Sequence, residues 1–363
     1  MTSERQRHVA RIVERALAEE SLDEWEIEVL LGVDDPETAG SLFEAAQVLR
    51  ERHFGRKVFL YGFVYFSTFC RNSCTFCLYR RGNTAGLRYR KTRDEVVAIA
   101  CGLAESGVHL VDLTMGEDPD IRGGDYAVVA DLVREVRLAG GVPVMVSPGV
   151  VPGNALRSLR DAGADWYACY QETHTPDLYR RLRPGQDYDE RTDARRCALE
   201  AGLRVEDGLL LGVGETVAYR ARSLSTMRAQ GVQQVRVMGF VPQVGTPLAG
   251  RQPPSLLCEL VTLAAMRLTM PDRLIPASLD LDGLRGLGPR LRAGANVVTS
   301  IIPPASGLAG VSQSKLDIDE GFRTVRGVER QLGPLGLEVA SPAEYERWLA
   351  GSKASFPRVG AKC

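Results

Sequence analysis

The sequence predicts an α/β fold, a (β/α)8 TIM barrel with an N-terminal helical lead-in and C-terminal closing helices. Three observations support this prediction. Between residues 58 and 302, eight short apolar segments alternate with segments of helical periodicity, which corresponds to eight β/α units in series. The apolar segments lack the alternation of a half-exposed strand and are typical of parallel strands buried on both faces. The 363 residues are enough for one large barrel with extensions.

The barrel prediction divides the chain into three parts. Residues 1–57 form the helical extension, 58–302 the barrel, and 303–363 the closing helices and a tail. The predicted strands are 58–66, 109–114, 142–147, 165–171, 205–212, 234–241, 274–279 and 296–302. The predicted helices after them are 92–106, 126–139, 154–162, 176–182 with 190–201, 216–230, 255–270, 282–293, 318–332 and 343–349.

Charge and hydropathy exclude several kinds of partner. The chain has 45 Lys and Arg against 46 Asp and Glu, a net charge of −1, without the basic excess of a nucleic-acid or anionic-membrane binder. No run of about 18 apolar residues indicates a transmembrane helix, and the polar N-terminal residues do not resemble a signal peptide. Eight cysteines in this length are not a disulfide scaffold. We therefore expect a cytoplasmic protein in a reducing compartment.

The most informative motif is Cys70-x3-Cys74-x2-Cys77, which follows the first predicted strand. Structural zinc and electron-transfer [4Fe–4S] clusters both use four protein ligands, so three cysteines are one short. The spacing therefore predicts a [4Fe–4S] cluster with one iron open to an exogenous ligand. An electron carrier would need a fourth protein ligand. A zinc site remains an alternative, completed by a more distant residue: His53, Cys101 or His109.

Polar residues at the strand ends are candidate functional residues, because the active sites of such barrels lie at the carboxyl ends of the strands. Five of them lie within or at the end of otherwise apolar segments: Asp112, Glu172, Arg236, Ser278 and Asp280. Buried charges are costly unless paired, so one interpretation is a structural ion pair between Arg236 and Asp112 or Asp280. The other is a site for a small zwitterion, whose ammonium groups bind carboxylates and whose carboxylate binds the arginine.

The cysteine motif, with Phe76 before its last cysteine, resembles the signature of radical S-adenosylmethionine (SAM) enzymes. Residues 208–215 resemble the family pattern G-x-I-x-G-x-x-E, and Met115-Gly116-Glu117 stands where the family has Gly-Gly-Glu. The resemblance implies that the three cysteines hold the cluster and that SAM chelates its open iron. It also implies SAM contacts from seven residues: Phe76, Gly116, Ser147, Glu172, Arg183, Arg191 and Gly212.

Within this family the chain resembles enzymes that isomerise L-lysine to (3R)-3-methyl-D-ornithine in pyrrolysine biosynthesis, over segments that include 111–119, 235–238 and 274–282. The resemblance implies that a 5′-deoxyadenosyl radical abstracts hydrogen from lysine, which then fragments and recombines. It also implies a flavodoxin- or ferredoxin-type electron donor. The implied substrate contacts are Asp112, Arg236, Ser278 and Asp280, with Arg236 on the amino-acid carboxylate.

Two other activities of the same branch are alternatives to the isomerisation of lysine. Biotin synthase, a more distant relative together with the maturase of iron hydrogenase, inserts sulfur from a second cluster held by cysteines inside the barrel. Here predicted strands 2, 3 and 5 carry no cysteine, and Cys169 is alone on strand 4, which argues against sulfur insertion. A radical SAM enzyme that acts on another small amino acid remains the alternative.

Overall fold

The computed structural model describes residues 2–312 and 323–352, and its centre is a barrel of eight parallel strands. These are β1 (Lys57–Ser67), β2 (Leu110–Met115), β3 (Val144–Ser147), β4 (Trp166–Ala168), β5 (Arg204–Leu211), β6 (Gln234–Gly239), β7 (Pro276–Ser278) and β8 (Val297–Ile301). They pair in the order β6-β5-β4-β3-β2-β1-β8-β7, and a parallel bridge between Gln234 and Leu274 joins the two ends of this order. The predicted (β/α)8 barrel is confirmed.

Helices flank the barrel on the outside and extend it at both ends. They are α1 (Thr2–Leu17), α2 (Glu24–Leu31), α3 (Pro36–Phe54), α4 (Arg93–Glu105), α5 (Pro119–Gly123), α6 (Ala127–Gly140), α7 (Gly153–Asp161), α8 (Pro176–Leu182), α9 (Tyr188–Glu200), α10 (Val217–Gln230), α11 (Leu256–Thr269), α12 (Leu287–Arg292), α13 (Val325–Leu332) and α14 (Pro342–Gly351). None of the helices within the described ranges has the length and hydropathy of a membrane span.

The helix starts follow local sequence signals. Thr92 and Glu95 form a capping box at α4, in which each side chain accepts a hydrogen bond from the other residue's backbone N–H. Asp35 accepts a hydrogen bond from the N–H of Thr38, and Pro36 occupies the first turn of α3. These short-range signals explain why most helix boundaries could be predicted closely.

Five strands are shorter than predicted, β4 and β7 by the most, and part of one predicted helix lies outside the described residues. β4 ends at Ala168 because the N–H of Gln171 donates to the side chain of Asp207 at 2.8 Å instead of continuing the strand ladder. β7 covers only Pro276–Ser278 of the predicted 274–279. For the predicted helix 318–332, residues 318–322 lie outside the described ranges and α13 occupies the rest; the predicted tail from 353 onward also lies outside them.

The C-terminal elements close the end of the barrel at which the strands begin. A short strand, β9 (Glu338–Val339), pairs with the first residues of β1. The hydroxyl of Tyr345 on α14 lies 2.8 Å from that of Tyr61, and Trp348 stacks on Trp166 with an interplanar angle of 4°. This aromatic layer leaves the opposite end, where the polar strand ends lie, to face the outside.

Candidate active site

The cysteine loop, residues 70–77, leaves β1 at the carboxyl end of the barrel, and its backbone is tied to two neighbouring elements. The N–H of Arg71 donates to the carbonyl of Glu117 at 2.9 Å, which links the loop to the end of β2. The N–H of Thr75 donates to the carbonyl of Leu182 at 2.8 Å, which links it to the end of α8. The three cysteines thereby line one cavity together with the strand ends.

Gly116 lies at the closest approach between the end of β2 and this loop. Its N–H donates to the carbonyl of Ser67 at 2.8 Å. A Cβ atom on Gly116 would clash with the carbonyl oxygen of Phe69 and would lie 2.9 Å from the Cβ of Cys70. The position therefore requires glycine for a packing reason, because the backbone at the end of β2 directly supports the first cysteine.

The three thiols lie close enough to influence one another. Burial, followed by the neighbouring Cys74 and Cys70, raises the pKa of Cys77 to about 12. Among the described residues, no three His, Cys, Asp or Glu side chains converge on a position that could hold one metal ion. Three cysteine sulfurs beside one cavity fit a cluster in which each sulfur binds a separate iron, and iron would hold them as thiolates.

The residues suggested as a fourth zinc ligand have other partners. The Nδ1 atom of His109 accepts a hydrogen bond from the N–H of Leu60 at 2.9 Å, so its Nε2 carries the proton and donates to the carbonyl of Ala340 at 2.8 Å. His53 lies 3.2 Å from a carboxylate oxygen of Glu19. Cys101 is on α4. The structure brings none of the three to the cysteine loop, which leaves the zinc alternative unsupported.

Glu172 contributes a buried carboxylate to the cavity wall. Its backbone is left-handed, with φ of 68°, which is uncommon for a residue with a side chain. Its Oε1 accepts a hydrogen bond from Nη2 of Arg183 at 2.8 Å, and its Oε2 has no hydrogen-bond partner in the described part of the chain. Burial raises the pKa of Glu172. A ligand hydroxyl or ammonium group would satisfy this oxygen.

An ionised aspartate holds the segment that carries Glu172. Asp207 on β5 accepts hydrogen bonds from the backbone N–H groups of Gln171 at 2.8 Å and Gly208 at 2.7 Å. Its other oxygen lies 3.1 Å from Nε of Arg195 and 3.0 Å from Nε2 of His174. Burial acts in the opposite direction, but these two groups hold the pKa of Asp207 at about 2. Asp207 is thus ionised at any working pH, and its carboxylate holds the backbone next to Glu172 in place.

Arg191 on α9 joins the same wall to the end of β2. Its Nη2 lies 3.0 Å from Oε1 of Glu117, and Nε of Arg71 lies 3.1 Å from the other oxygen of that carboxylate. Nη1 of Arg191 also lies 3.2 Å from the sulfur of Cys169. Arg191 is therefore a buried structural cation as well as a residue of the cavity wall.

Arg236 on β6 has a partner that the sequence did not indicate. Its Nε donates to Oε1 of Glu206 on β5 at 2.6 Å, and its Nη1 donates to the hydroxyl of Thr299 at 3.1 Å. Tyr170 donates its hydroxyl to the second oxygen of Glu206 at 3.1 Å, and the guanidinium lies 5.6 Å from the centre of the Tyr170 ring. The guanidinium is therefore fixed in orientation and balanced in charge within the barrel.

Asp112 on β2 faces the same space as Arg236. Ser147 at the end of β3 donates its hydroxyl to Asp112 at 2.9 Å. Burial, followed by the negative charge of Glu206, raises the pKa of Asp112 to about 7. A cation bound beside it would favour the ionised form and lower this pKa.

Asp280, just after β7, is paired with a residue that follows the barrel in the chain. Its Oδ1 accepts a hydrogen bond from Nη1 of Arg323 at 2.8 Å. Its carbonyl accepts one from the hydroxyl of Ser312 at 2.9 Å, and its own N–H donates to the hydroxyl of Ser278 at 3.2 Å. The structural pairing of Arg236 with Asp112 or Asp280, left open by the sequence, is thus wrong. The ion-pair partners are Glu206 for Arg236 and Arg323 for Asp280.

The structure gathers nearly all of the predicted site residues around one cavity of about 270 Å³. Its lining includes Cys70, Cys74, Phe76, Cys77, Asp112, Gly116, Ser147, Glu172, Arg183, Arg191, Arg236, Ser278 and Asp280. Gly212 is not among the lining residues, and its N–H donates to Glu215 at 2.8 Å. Beyond the loop cysteines, Cys169 is the only other cysteine among the described lining residues, which fits poorly with a second cluster.

Two charged residues of the site, Glu206 and Arg323, are not among the residues predicted from the sequence. Glu206 could have been suspected, because Glu206 and Asp207 interrupt an otherwise apolar strand. Arg323 carries no such signal, since it lies in neither a predicted strand nor a recognised motif.

Comparison with known proteins identifies the class to which this fold and site belong. A family model described as "Radical SAM superfamily" matches residues 64–227. A "3-methylornithine synthase" of Methanosarcina barkeri is 44% identical over 328 residues, which cover 90% of this chain and 93% of the relative. A protein of the same description from Methanosarcina acetivorans is 41% identical over 339 residues, 93% of this chain and 96% of that protein.

A solved structure agrees with these relatives. The "Crystal structure of methylornithine synthase (PylB)" has a TM-score of 0.87 and 42% identity to this chain, and the match covers 93% of this chain and 99% of that one. The fold, the three-cysteine loop and the family model define a radical SAM enzyme. Within that class, the chain belongs to the 3-methylornithine synthase family. This confirms the predicted enzyme class and its two cofactors, a [4Fe–4S] cluster and SAM.

Proposed function

We propose that this enzyme isomerises L-lysine to (3R)-3-methyl-D-ornithine, and its relatives are named for the synthesis of 3-methylornithine. The observation that supports this most directly is the charge of the substrate end of the cavity. Two carboxylates, Asp112 and Asp280, and the guanidinium group of Arg236 line this end of the cavity. Lysine carries the complementary groups, two ammonium groups and one carboxylate.

The individual contacts follow from the hydrogen-bond capacity of each group. Nη2 of Arg236 has no partner in the described part of the chain, while Nε and Nη1 are engaged by Glu206 and Thr299. It is assigned to the amino-acid carboxylate. Asp112 and Asp280 are assigned to the two ammonium groups, and Ser278 supports Asp280 from the neighbouring position. Both ends of the substrate are then held by different strands.

The cofactor end is formed by the cysteine loop and the wall behind it. Cys70, Cys74 and Cys77 are assigned to the cluster, and the cluster with SAM supplies a 5′-deoxyadenosyl radical. Phe76, Gly116, Ser147, Glu172, Arg183 and Arg191 line the adjoining part of the cavity and are assigned to SAM. Gly212 does not line the cavity, and its assignment to SAM rests on the resemblance of residues 208–215 to the family pattern.

During the rearrangement, the chain's own residues hold the two fragments of the substrate and keep them away from water. A reaction that passes through two fragments needs both fragments kept in place until they recombine. Arg236 holds the fragment with the carboxylate, and Asp280 or Asp112 holds the fragment with the remaining ammonium group. The aromatic layer of Tyr61 and Tyr345 closes the far end of the barrel and excludes water.

A flavodoxin- or ferredoxin-type protein is assigned as the electron donor. Residues 71–93, which include most of the cysteine loop, contain seven Arg and Lys residues and no Asp or Glu. Four of these form salt bridges with nearby carboxylates, whereas the exposed Arg81 forms no salt bridge within the described part of the chain. An exposed arginine beside the cluster loop offers a contact to an acidic carrier. The cytoplasm, with its reducing conditions, is assigned as the compartment.

The proposal is tested by anaerobic turnover of the reconstituted, reduced enzyme with SAM and fully deuterated L-lysine. The expected products are a lysine isomer that co-elutes with 3-methylornithine, and 5′-deoxyadenosine that carries deuterium from the substrate, both measured by mass spectrometry. SAM cleavage with unchanged lysine would overturn the substrate assignment and point to another small amino acid. Cys74→Ala should abolish cluster and turnover, and Cys101→Ala, a free cysteine on α4, should retain both.

A further inference from the structure

Gln186 lies in the loop between α8 and α9, beside the cysteine loop but outside the cavity lining. Its Nε2 lies 3.1 Å from the sulfur of Cys74. Nη1 of Arg183 lies 3.3 Å from the same sulfur. In the described residues, neither Cys70 nor Cys77 accepts a hydrogen bond from a side chain at its sulfur. The polar environment of the three cysteines is therefore unequal.

The orientation of the Gln186 amide follows from its other neighbours. Its Oε1 lies 2.9 Å from Nη2 of Arg191 and 3.4 Å from Nη1 of Arg183. A guanidinium group only donates hydrogen bonds, so the oxygen of the amide must face the two arginines. The NH2 group is then directed at Cys74, and the contact is an N–H···S hydrogen bond rather than a contact between two acceptors.

The arginines are in turn held from the other side, which makes this orientation rigid. Arg183 donates to Glu172 at 2.8 Å and Arg191 to Glu117 at 3.0 Å. The loop itself is fixed by a hydrogen bond from the N–H of Gln186 to the carbonyl of Arg183 at 3.1 Å. Gln186 cannot reverse its amide without placing the NH2 group against two cations.

We propose that Gln186 is a positioning residue that donates a hydrogen bond to the Cys74 thiolate and thereby raises the reduction potential of the cluster. This inference rests on the proposed assignment of Cys74 as a cluster ligand. The reduced cluster carries one more negative charge than the oxidised cluster, so a donor at a ligand sulfur stabilises the reduced form more. Gln186 then eases the one-electron reduction by the donor protein without touching SAM or substrate.

The test is a potentiometric titration of the reconstituted cluster without SAM, followed by electron paramagnetic resonance. Gln186→Leu removes the donor without adding charge. At a fixed solution potential near the wild-type midpoint, the ratio of reduced to oxidised cluster should fall about threefold to tenfold, which is about 30 to 59 mV at 59 mV per tenfold for one electron. Iron content should stay at the wild-type value, and the titration is made without SAM because Gln186 also contacts Arg183 and Arg191. Gln252→Leu, an exposed glutamine elsewhere, is the matched control and should leave the potential unchanged.

A full cluster with an unchanged midpoint in Gln186→Leu would overturn the inference, because the hydrogen bond would then have no effect on the redox equilibrium. If Gln186→Leu fails to take up iron, Gln186→Met, which is unbranched and also lacks a donor, is titrated instead and judged by the same criterion. A full cluster in Cys74→Ala would overturn the ligand assignment itself, and that result is distinguishable by iron content alone.

Discussion

Glu206 on β5 and Arg236 on β6 are joined by a 2.6 Å hydrogen bond in the interior of the barrel. Glu206 is fully buried, and Tyr170 and Arg236 both donate to it. The proposed carboxylate-binding arginine thus has a charge partner before any substrate arrives. The same carboxylate raises the pKa of Asp112 and so links the two proposed contacts of the substrate.

Loss of the Glu206 charge should destabilise the fold. Glu206→Gln keeps an acceptor but leaves a buried guanidinium without its counter-charge, and we expect the free energy of unfolding to fall by about 3 kcal/mol. Urea unfolding of the metal-free protein measures this. The matched control is Glu338→Gln, which removes a half-exposed partner of Lys57 and should cost no more than about 1 kcal/mol. Equal effects in the two variants would contradict the importance of the buried pair.

The ionisation of Asp112 should appear in the pH dependence of turnover. Its pKa is raised to about 7, and the proposed ammonium contact needs the carboxylate, so kcat/KM for L-lysine should increase about tenfold per pH unit below about pH 7 and level off above it. Glu206→Gln removes the negative charge that opposes ionisation, so the rising limb should move to lower pH. A limb that stays at the same pH in this variant would show that another group titrates. The rate of SAM cleavage in the absence of lysine should not show this rise with pH.

Substitution of Gly116 should displace the cysteine loop. In Gly116→Ala the new methyl group meets the backbone of Phe69 and the side chain of Cys70, and we expect a loss of about 1 to 3 kcal/mol in stability together with a lower iron content. Gly102→Ala is the control, since no atom lies within 4 Å of the position that its methyl group would take on α4, and it should be neutral or slightly stabilising. Normal iron content in Gly116→Ala would contradict the packing argument.

Arg323 should affect lysine binding and leave the cofactor end unchanged. Arg323→Gln removes the cation that holds Oδ1 of Asp280 at 2.8 Å, and we expect KM for lysine to rise about tenfold or more, with unchanged SAM affinity and iron content. Arg323→Lys should restore part of the loss. Arg326→Gln, on the exposed face of α13, is the control and should behave like the wild type. Equal KM values for the two glutamine variants would exclude a role for Arg323 in the substrate site.

The sequence predicted well what depends on short-range signals. The eight strands, most helix boundaries and the cysteine loop each follow from residues that are neighbours in the chain. The strand-end rule then placed Asp112, Arg236, Ser278 and Asp280 on one side of the barrel without knowledge of the packing. The topology of the barrel alone is enough to place these residues together at its carboxyl end.

The ion-pair partners could not be predicted in the same way. Which carboxylate meets Arg236 depends on the register between β5 and β6, in which Gly208 lies opposite Arg236 and Glu206 is two residues away. The partner of Asp280 depends on how the chain returns to the barrel after β8. The exclusion of Gly212 from the cavity lining likewise follows from the side to which its loop turns, and a motif does not encode that direction.

The pairing of Asp280 with Arg323, 43 residues apart, also concerns the order in which the molecule is made. All eight barrel strands are synthesised before Arg323, and the α14 helix that seats Tyr345 under the barrel is synthesised later still. Asp280 is thus made well before the arginine that holds its Oδ1 atom. A message truncated after β8 would encode every proposed cluster ligand and yet leave the substrate end unfinished.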